Sequence, residues 1–499
     1  MSSIQTKNRL RTSAPVISST NQGGIPSPRR TVTAAREVFT WPWMGVTLFL
    51  LAVLGFICAL VPLGTAPVLI SLSILGGALY LLRTHRLPTF LAALKERARG
   101  PLLPMALFLI LGAVSILWTP VRKDGAAQTL TFLYTVVPFI FCLGTLREVD
   151  DDRRRLLMRW LVGGMVVGLI LFAIEVIGDQ PIYRLEKAVE GTNVDHDRAL
   201  NRPAVLFTTL AWPVGLALAR LAWPLGRAAF SRITAGAAKA AGGLARGATA
   251  ANRLPASVPW AWVLPAGFFL VSLGGTSASA KVGLGVGLAC FALARLSARL
   301  TRVVLMVALL AGPTLSIPIS LGLYHAGLTE ETRMPFSFRH RIEIWDVAAR
   351  RILEKPLLGW GLDSSRHIPD EGEVSKFHPE SSIIPLHPHN LFLQILLELG
   401  VAGGLLYAWF GVGVVRAIRR LPDYAQPSAL AMAAATIGVG CFSYGAWQTW
   451  WLCGIMLSVG ILELCLPVGW WARAAGAAKA VPAGVSAGAP GRRRTVRRR

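Results

Sequence analysis

Long, continuous apolar runs separated by short basic segments constrain this chain more than any other feature. In Trp41–Leu60, Leu156–Ile177 and Leu391–Val415 hydrophobic residues follow one another without the alternation of a half-buried strand. A helix crossing a bilayer core needs roughly 20 mostly apolar residues. Only helices and closed barrels satisfy every backbone N–H and C=O in lipid, and continuous rather than alternating runs select helices. With 53% apolar and 15% charged residues and a mean hydropathy of +0.52, lipid is the expected solvent. The expectation is an all-α, polytopic integral membrane protein.

The remaining runs are Ala66–Leu82, Leu102–Trp118, Thr129–Leu146, Pro203–Trp223, Val258–Leu273, Val282–Leu296, Val303–Tyr324, Ala429–Tyr444 and Trp450–Val468, which brings the count to about twelve spans. Lys and Arg concentrate in alternate connections, after spans two, four, six, eight and ten, as in Arg153–Arg155 and Arg416, Arg419 and Arg420. The positive-inside rule makes these connections cytoplasmic, and the basic tails at both ends place both termini there. The net charge of +25 is therefore read as topology and membrane-lipid contact, with no nucleic acid partner.

The expected organisation is a basic tail over 1–40, spans one to nine over 41–324, a long outer loop over 325–389, spans ten to twelve over 390–468, and a second basic tail over 469–499. No cleavable leader is expected, so the first helix serves as an anchor. Cys58, Cys142, Cys290, Cys441, Cys453 and Cys465 all lie in apolar runs without a CxxC pair and read as packing residues. The Ala229–Ala251 stretch reads as a linker or short surface helix.

Two outer connections are long, Gly178–Arg202 and His325–His389. Such length is usually functional or disordered. The second holds His325, His340, His367, His378, His387 and His389, six of the eight histidines. Within it Ile342, Trp345, Ala348, Ala349, Ile352 and Leu353 recur at helical spacing, opposite Glu343, Asp346, Arg350, Arg351 and Glu354. This predicts an amphipathic helix on the membrane surface, with Arg341 at headgroup depth and Arg339 nearby. Asn390 is a good N-cap for span ten, which sets His389 beside the positive end of a helix dipole. That position attracts phosphate and favours a neutral imidazole able to take a proton. The alternative is that His387 and His389 only cap a helix and bond loop carbonyls. A metal site is disfavoured, because the HxH pair has no carboxylate or Cys at ligand spacing. Arg202 and Lys281 each begin a span at the outer boundary; either alone reads as a snorkelling anchor, but with Arg341 they point to an anionic partner.

The ordered set Arg341…Trp345, Pro356-Leu357-Leu358-Gly359-Trp360-Gly361, His389-Asn390…Leu393-Gln394 and Glu398-Leu399-Gly400…Gly403 resembles the bacterial O-antigen ligases and polymerases. The resemblance implies a membrane glycosyltransferase of the C-like fold, in a bacterial inner membrane, with its active face periplasmic. It implies an inverting, metal-independent transfer of a glycan from undecaprenyl diphosphate to a lipid A–core hydroxyl, with no cofactor. The family's base then maps onto His389 and its phosphate-binding arginines onto Arg341 and Arg202, with His387, Asn390, Arg339 and Trp345 in support. Lys281, in Ser279-Ala280-Lys281, stands where family members often carry Ser-Arg. It keeps the charge and loses the bidentate fork.

Two competing readings follow. A polymerase would use the same donor and a carrier-linked glycan acceptor, the choice residing in the variable stretch Leu362–Pro385; a protein O-oligosaccharyltransferase belongs to the same group. A transporter would use Glu175 and an interruption at Trp212-Pro213 as a substrate path, but no internal repeat or pair of broken helices is evident.

Overall fold

The structure, a computed structural model, describes residues 41–84, 98–191, 200–240, 258–369 and 372–471. The tail 1–40, residues 472–499 and the part of Ala229–Ala251 beyond Ala240 lie outside the described residues. The described chain is helical without strands. Its helices are α1 (Trp41–Leu60), α2 (Thr65–Thr84), α3 (Leu103–Val114), α4 (Arg122–Glu148), α5 (Asp151–Ile177), α6 (Pro181–Glu190) and α7 (Asn201–Ala240), followed by α8 (Val258–Gly274), α9 (Ala278–His325), α10 (Phe336–Glu354), α11 (Leu391–Ile418), α12 (Gln426–Gly440) and α13 (Thr449–Leu464). Among the described residues, six stretches are long and apolar enough to cross a membrane, and four shorter apolar helices accompany them. Every expected apolar run lies wholly or largely in a helix.

Two of the expected spans share α9, which breaks at Ser297 (φ −152°, ψ 94°). Along its first arm Gly283 meets Val439 near the end of α12. Its second arm starts where Arg302 Nη1 donates to Gln426 Oε1 (2.7 Å) at the opposite end of α12, and it passes Gly312 against the Phe392 ring of α11. The Val282–Leu296 and Val303–Tyr324 expectations thus correspond to the two arms.

In lipid, small residues let helix backbones approach. Gly164 and Gly168 of α5 lie on the backbone of α1: a Cβ on Gly164 would fall 2.3 Å from Ala52 O, and one on Gly168 2.6 Å from Gly55 O. Gly283 and Gly287 of α9 do the same against α12 and the fully buried Trp212 of α7. On the outward surface of α5, Val166, Val167, Ile170 and Ile174 stay exposed, as a lipid-facing stripe must.

Buried charges away from the histidine loop are structural. Arg154 donates to the carbonyls of Glu463 (2.8 Å), Leu466 (2.8 Å) and Leu146 (2.6 Å), closing the ends of α13 and α4. Glu175 accepts the N–H groups of Ile182 (2.7 Å) and Tyr183 (3.3 Å), so it caps α6 instead of marking a transport path. Nor is α7 interrupted at Trp212-Pro213; it runs as one helix from Asn201 to Ala240. The six cysteines are free and buried or half-buried.

The surface-helix expectation for α10 needs correction. Both of its faces are covered: Glu343, Asp346 and Arg351 on the polar side are buried along with Ile342, Trp345 and Ala348. A strap over residues 372–378 meets part of the polar side, with Glu343 accepting from Ser375 Oγ (2.7 Å) and Lys376 N (2.7 Å), and Arg350 gripping Glu373 through both terminal nitrogens (2.5 and 2.6 Å), while Asp346 and Arg351 pair along the helix with Arg350 (3.1 Å) and Glu354 (2.7 Å). Helical periodicity gave the face but not its cover, because the polar side is satisfied by another loop and by pairs along the helix itself.

The α1–α5 contact is directly testable. Gly164→Ala should lower stability in detergent by about 1–3 kcal/mol through overpacking against backbone. Gly163→Ala, where a Cβ would meet nothing within 4 Å, should leave the melting temperature nearly unchanged.

Candidate active site

The site is built on an interrupted helix. α11 breaks at Gly400 (φ 63°, ψ −163°), a conformation open to glycine and strained for other residues. The break frees backbone groups that Pro356–Gly361 then takes up. Trp360 N donates to Leu397 O (2.9 Å) and Gly361 N to Glu398 O (2.8 Å), while Val401 N donates to Pro356 O (2.8 Å) and Ala402 N to Leu357 O (3.2 Å). Two further glycines permit the approach, since a Cβ on Gly359 would lie 2.5 Å from the Glu398 carbonyl carbon and one on Gly361 2.4 Å from Thr119 Cβ. The turn read from the Pro-Leu-Leu-Gly-Trp-Gly segment is therefore a plug docked into a broken span.

Glu398, two residues before the break and wholly buried, ties this plug to the rest. Its Oε1 accepts from Ser365 Oγ (2.5 Å) and Gln394 Nε2 (3.0 Å), its Oε2 from Asp363 N (2.6 Å) and Trp447 Nε1 (2.6 Å). Sequence reasoning assigned Glu398 no role; a carboxylate inside an apolar run was the available signal.

At the start of α11, Asn390 Oδ1 accepts from Phe392 N (3.0 Å) and Leu393 N (3.2 Å), the N-cap geometry expected. His389 precedes it in the left-handed region (φ 52°). Its Nδ1 sits 2.6 Å from Ser443 O in the α12–α13 loop. A carbonyl can only accept, so Nδ1 carries the proton and Nε2 bears the lone pair. Burial first, then the charge of Arg341, lowers the His389 pKa to about 4, against a smaller opposite effect of the Ser443 bond. Backbone N–H groups of His389 and Gly445 approach His387 Nδ1 and Nε2 at 3.2 and 3.1 Å. An imidazolium there would face N–H on both sides, and burial also holds its pKa well below the usual value. The two rings touch edge to face, 4.3 Å between centroids.

α10 supplies the other wall. Trp345 Nε1 donates to Pro388 O (2.9 Å), which fixes the His-Pro-His segment against this helix. One turn earlier, Arg341 donates from Nη1 to Ser337 O (2.8 Å), while its Nε is buried without a partner among the described residues. Burial lowers its pKa from the ordinary guanidinium value. Tyr444, beside Ser443, feels the charges of both Arg341 and Arg202, so α7 brings its first turn to the same region. Lys281 stands at the start of α9, two residues before Gly283, which meets Thr208 of α7 and Val439 of α12. Lys281 thus occupies the same end of the bundle, but no contact among the described residues joins it to His389. Arg339 stacks on Phe377 (5.7 Å) and reaches Thr329 O.

The six loop histidines divide. His340 and His378 form an aromatic cluster with Phe336 and Phe377, His367 approaches Asp124 of α4 (3.8 Å), and His325 lies against Tyr324 at the end of α9. Burial, then the charges of His378 and Arg341, lower the His340 pKa to about 4. A histidine whose folded-state pKa lies below its unfolded value of about 6.5 stabilises the fold above that value and loses this contribution as pH falls towards about 4. Acidification from pH 7 to 4.5 should therefore lower the melting temperature in detergent. The pH dependence should be shallower in His340→Gln, whose unfolded chain has one fewer proton to take up.

Residues 263–408 match the family model described as O-antigen ligase. A Rickettsia typhi protein named "putative polysaccharide ligase" is 34% identical over 210 residues, covering 40% of this chain and 50% of that protein. Its namesake in Rickettsia conorii is 32% identical over 196 residues, covering 37% and 46%. In Rickettsia prowazekii the corresponding figures are 33% over 210 residues, covering 40% and 50%. The chain spans about half the length of the curated relatives it matches. Arg202 and the α12–α13 loop fall outside the family match, whereas Lys281, Arg341, Trp345 and the His387–Asn390 segment fall inside it. Residues 263–408, with Arg341 and His389 among them, are thus similar to the O-antigen ligase family.

Proposed function

We propose that this chain is a glycosyltransferase of the O-antigen ligase kind, moving a glycan from undecaprenyl diphosphate to a sugar hydroxyl of lipid A–core at the periplasmic face of a bacterial inner membrane. The observation that carries this reading is the 2.6 Å contact between His389 Nδ1 and Ser443 O, which leaves Nε2 as a proton acceptor at the start of α11. The acceptor hydroxyl attacks the anomeric carbon, its proton passes to His389 Nε2, and the bond to the diphosphate breaks with inversion. Arg341, with Arg202 and Lys281 from the same end of the bundle, meets the charge developing on the departing diphosphate, together with the N-terminus of α11. Fixed cations and a helix dipole can supply this stabilisation without a metal ion. A bound diphosphate would also offset the field of Arg341 at His389 and raise the imidazole's basicity at the moment it is used.

The test is a reconstituted transfer assay with undecaprenyl-diphosphate-linked glycan, lipid A–core acceptor and EDTA. General-base assistance is worth roughly 10²–10⁴-fold, so His389→Ala should lose that much in kcat while still binding donor. Arg341→Lys should raise KM for the donor about tenfold, because an ammonium cannot reproduce the guanidinium fork. Transfer at wild-type rate by a folded His389→Ala protein would overturn the assignment. Longer carrier-linked glycan formed without use of lipid A–core would identify a polymerase instead.

A further inference from the structure

The orientation of His389 depends on a loop that has no helical structure of its own. Ser443 lies between α12 and α13, and a carbonyl aimed at an imidazole is useful only if the loop bearing it is held. Three contacts from α11 and its approach hold it. Gly445 N lies 3.1 Å from His387 Nε2, Ala446 N donates to Gln394 Oε1 (2.7 Å), and Trp447 Nε1 donates to Glu398 Oε2 (2.6 Å). The successive residues Gly445, Ala446 and Trp447 are thus pinned to His387, Gln394 and Glu398, which descend into the bundle. Gln394 and Glu398 lie one helical turn apart and bond each other, Nε2 to Oε1 (3.0 Å).

We infer that Gln394 and Glu398 are positioning residues that fix the Nδ1–H tautomer of His389 by clamping the Ser443–Trp447 loop. The inference rests on the reading of His389 as the base. Neither side chain needs to touch substrate: Gln394 is spent between Ala446 N and Glu398, and Glu398 receives four donors. Their geometry is complementary, since Gln394 offers the loop an acceptor with its oxygen and offers Glu398 a donor with its nitrogen. Without this clamp the loop N–H groups and the Ser443 carbonyl would lose register with the imidazoles. The His389 proton could then move to Nε2, and the lone pair needed for proton abstraction would point at the loop. The packing around the clamp is tight: Trp447 sits on Phe132 and Phe108, with centroids 5.7 and 5.8 Å apart, so the indole has a fixed direction.

The experiment compares the full-length wild type with Gln394→Leu in lipid nanodiscs. Solid-state NMR of chains labelled with ¹³C,¹⁵N-histidine would be assigned by difference with His389→Ala. The expected result is a single neutral Nδ1–H form at His389 in the wild type. Gln394→Leu should show a mixture with the Nε2–H form, and its kcat should fall roughly 10²-fold with the donor KM unchanged. Should Gln394→Leu fail to fold, Trp447→Phe, which deletes only the indole N–H contact and keeps the aromatic packing, makes the same comparison. Retention of the Nδ1–H form in a folded variant overturns the inference, whatever the activity. An Nε2–H form in the wild type does so too. Because the tautomer is read without substrate, a wild type that shows the Nδ1–H form and its loss in the variant, yet transfers no glycan, would contradict the proposed function and leave the clamp standing.

Discussion

A break in α11 at Gly400 and the loop that fills it hold the site together. A helix interrupted at membrane depth exposes two carbonyls and two N–H groups that lipid cannot satisfy, and such irregular backbone persists only where protein covers it. The carbonyls of Leu397 and Glu398 and the N–H groups of Val401 and Ala402 find those partners in Pro356–Gly361. The exchange explains why Gly359, Gly361 and Gly400 are small, since at each a Cβ would lie 2.4 to 2.5 Å from a neighbouring atom. It also fixes α10, which ends at Glu354 immediately before the plug, and so places Arg341 and Trp345 relative to His389.

From this junction the site grows by connecting groups that are individually unremarkable in sequence. Glu398 gathers the 363–365 segment, Gln394 and Trp447 around one carboxylate. Trp345 ties α10 to Pro388, and Ser443 orients His389. The result is two neutral imidazoles next to an incompletely bonded guanidinium at the start of a helix. That combination suits a phosphate-bearing substrate and a proton transfer, and it places base and cation in fixed relation before any substrate arrives.

Much of the architecture was legible. Continuous apolar runs are local properties, and lipid leaves a helix as their only open-ended solution, so the spans could be read directly. The Asn390 cap was legible for the same local reason. The covering of α10 was not, because Glu343, Asp346 and Arg351 look like a solvated face until the 372–378 strap bonds Glu343, and Arg350 and Glu354 of the same helix meet Asp346 and Arg351. Glu175 and the Trp212-Pro213 pair, which a transporter would have used, show the same limit: a carboxylate and a proline in apolar runs announce an irregularity but not whether it is a cap, as at α6, or is simply absorbed, as along α7.

What the sequence by itself determined was the class of fold, the position of a long histidine-bearing loop, and the identities of His389, Arg341 and Arg202 as candidate groups, because hydropathy, charge asymmetry and motif order are written along the chain. Only the tertiary structure decided that Arg341 and His389 share one cluster, that Lys281 stands at the same end of the bundle, and that the proton of His389 resides on Nδ1. The tautomer depends on a carbonyl 54 residues further on, delivered by a loop that Gln394 and Glu398 hold in place. No local pattern encodes a contact between a ring nitrogen and a backbone carbonyl so far apart, because any residue at position 443 would carry the same carbonyl.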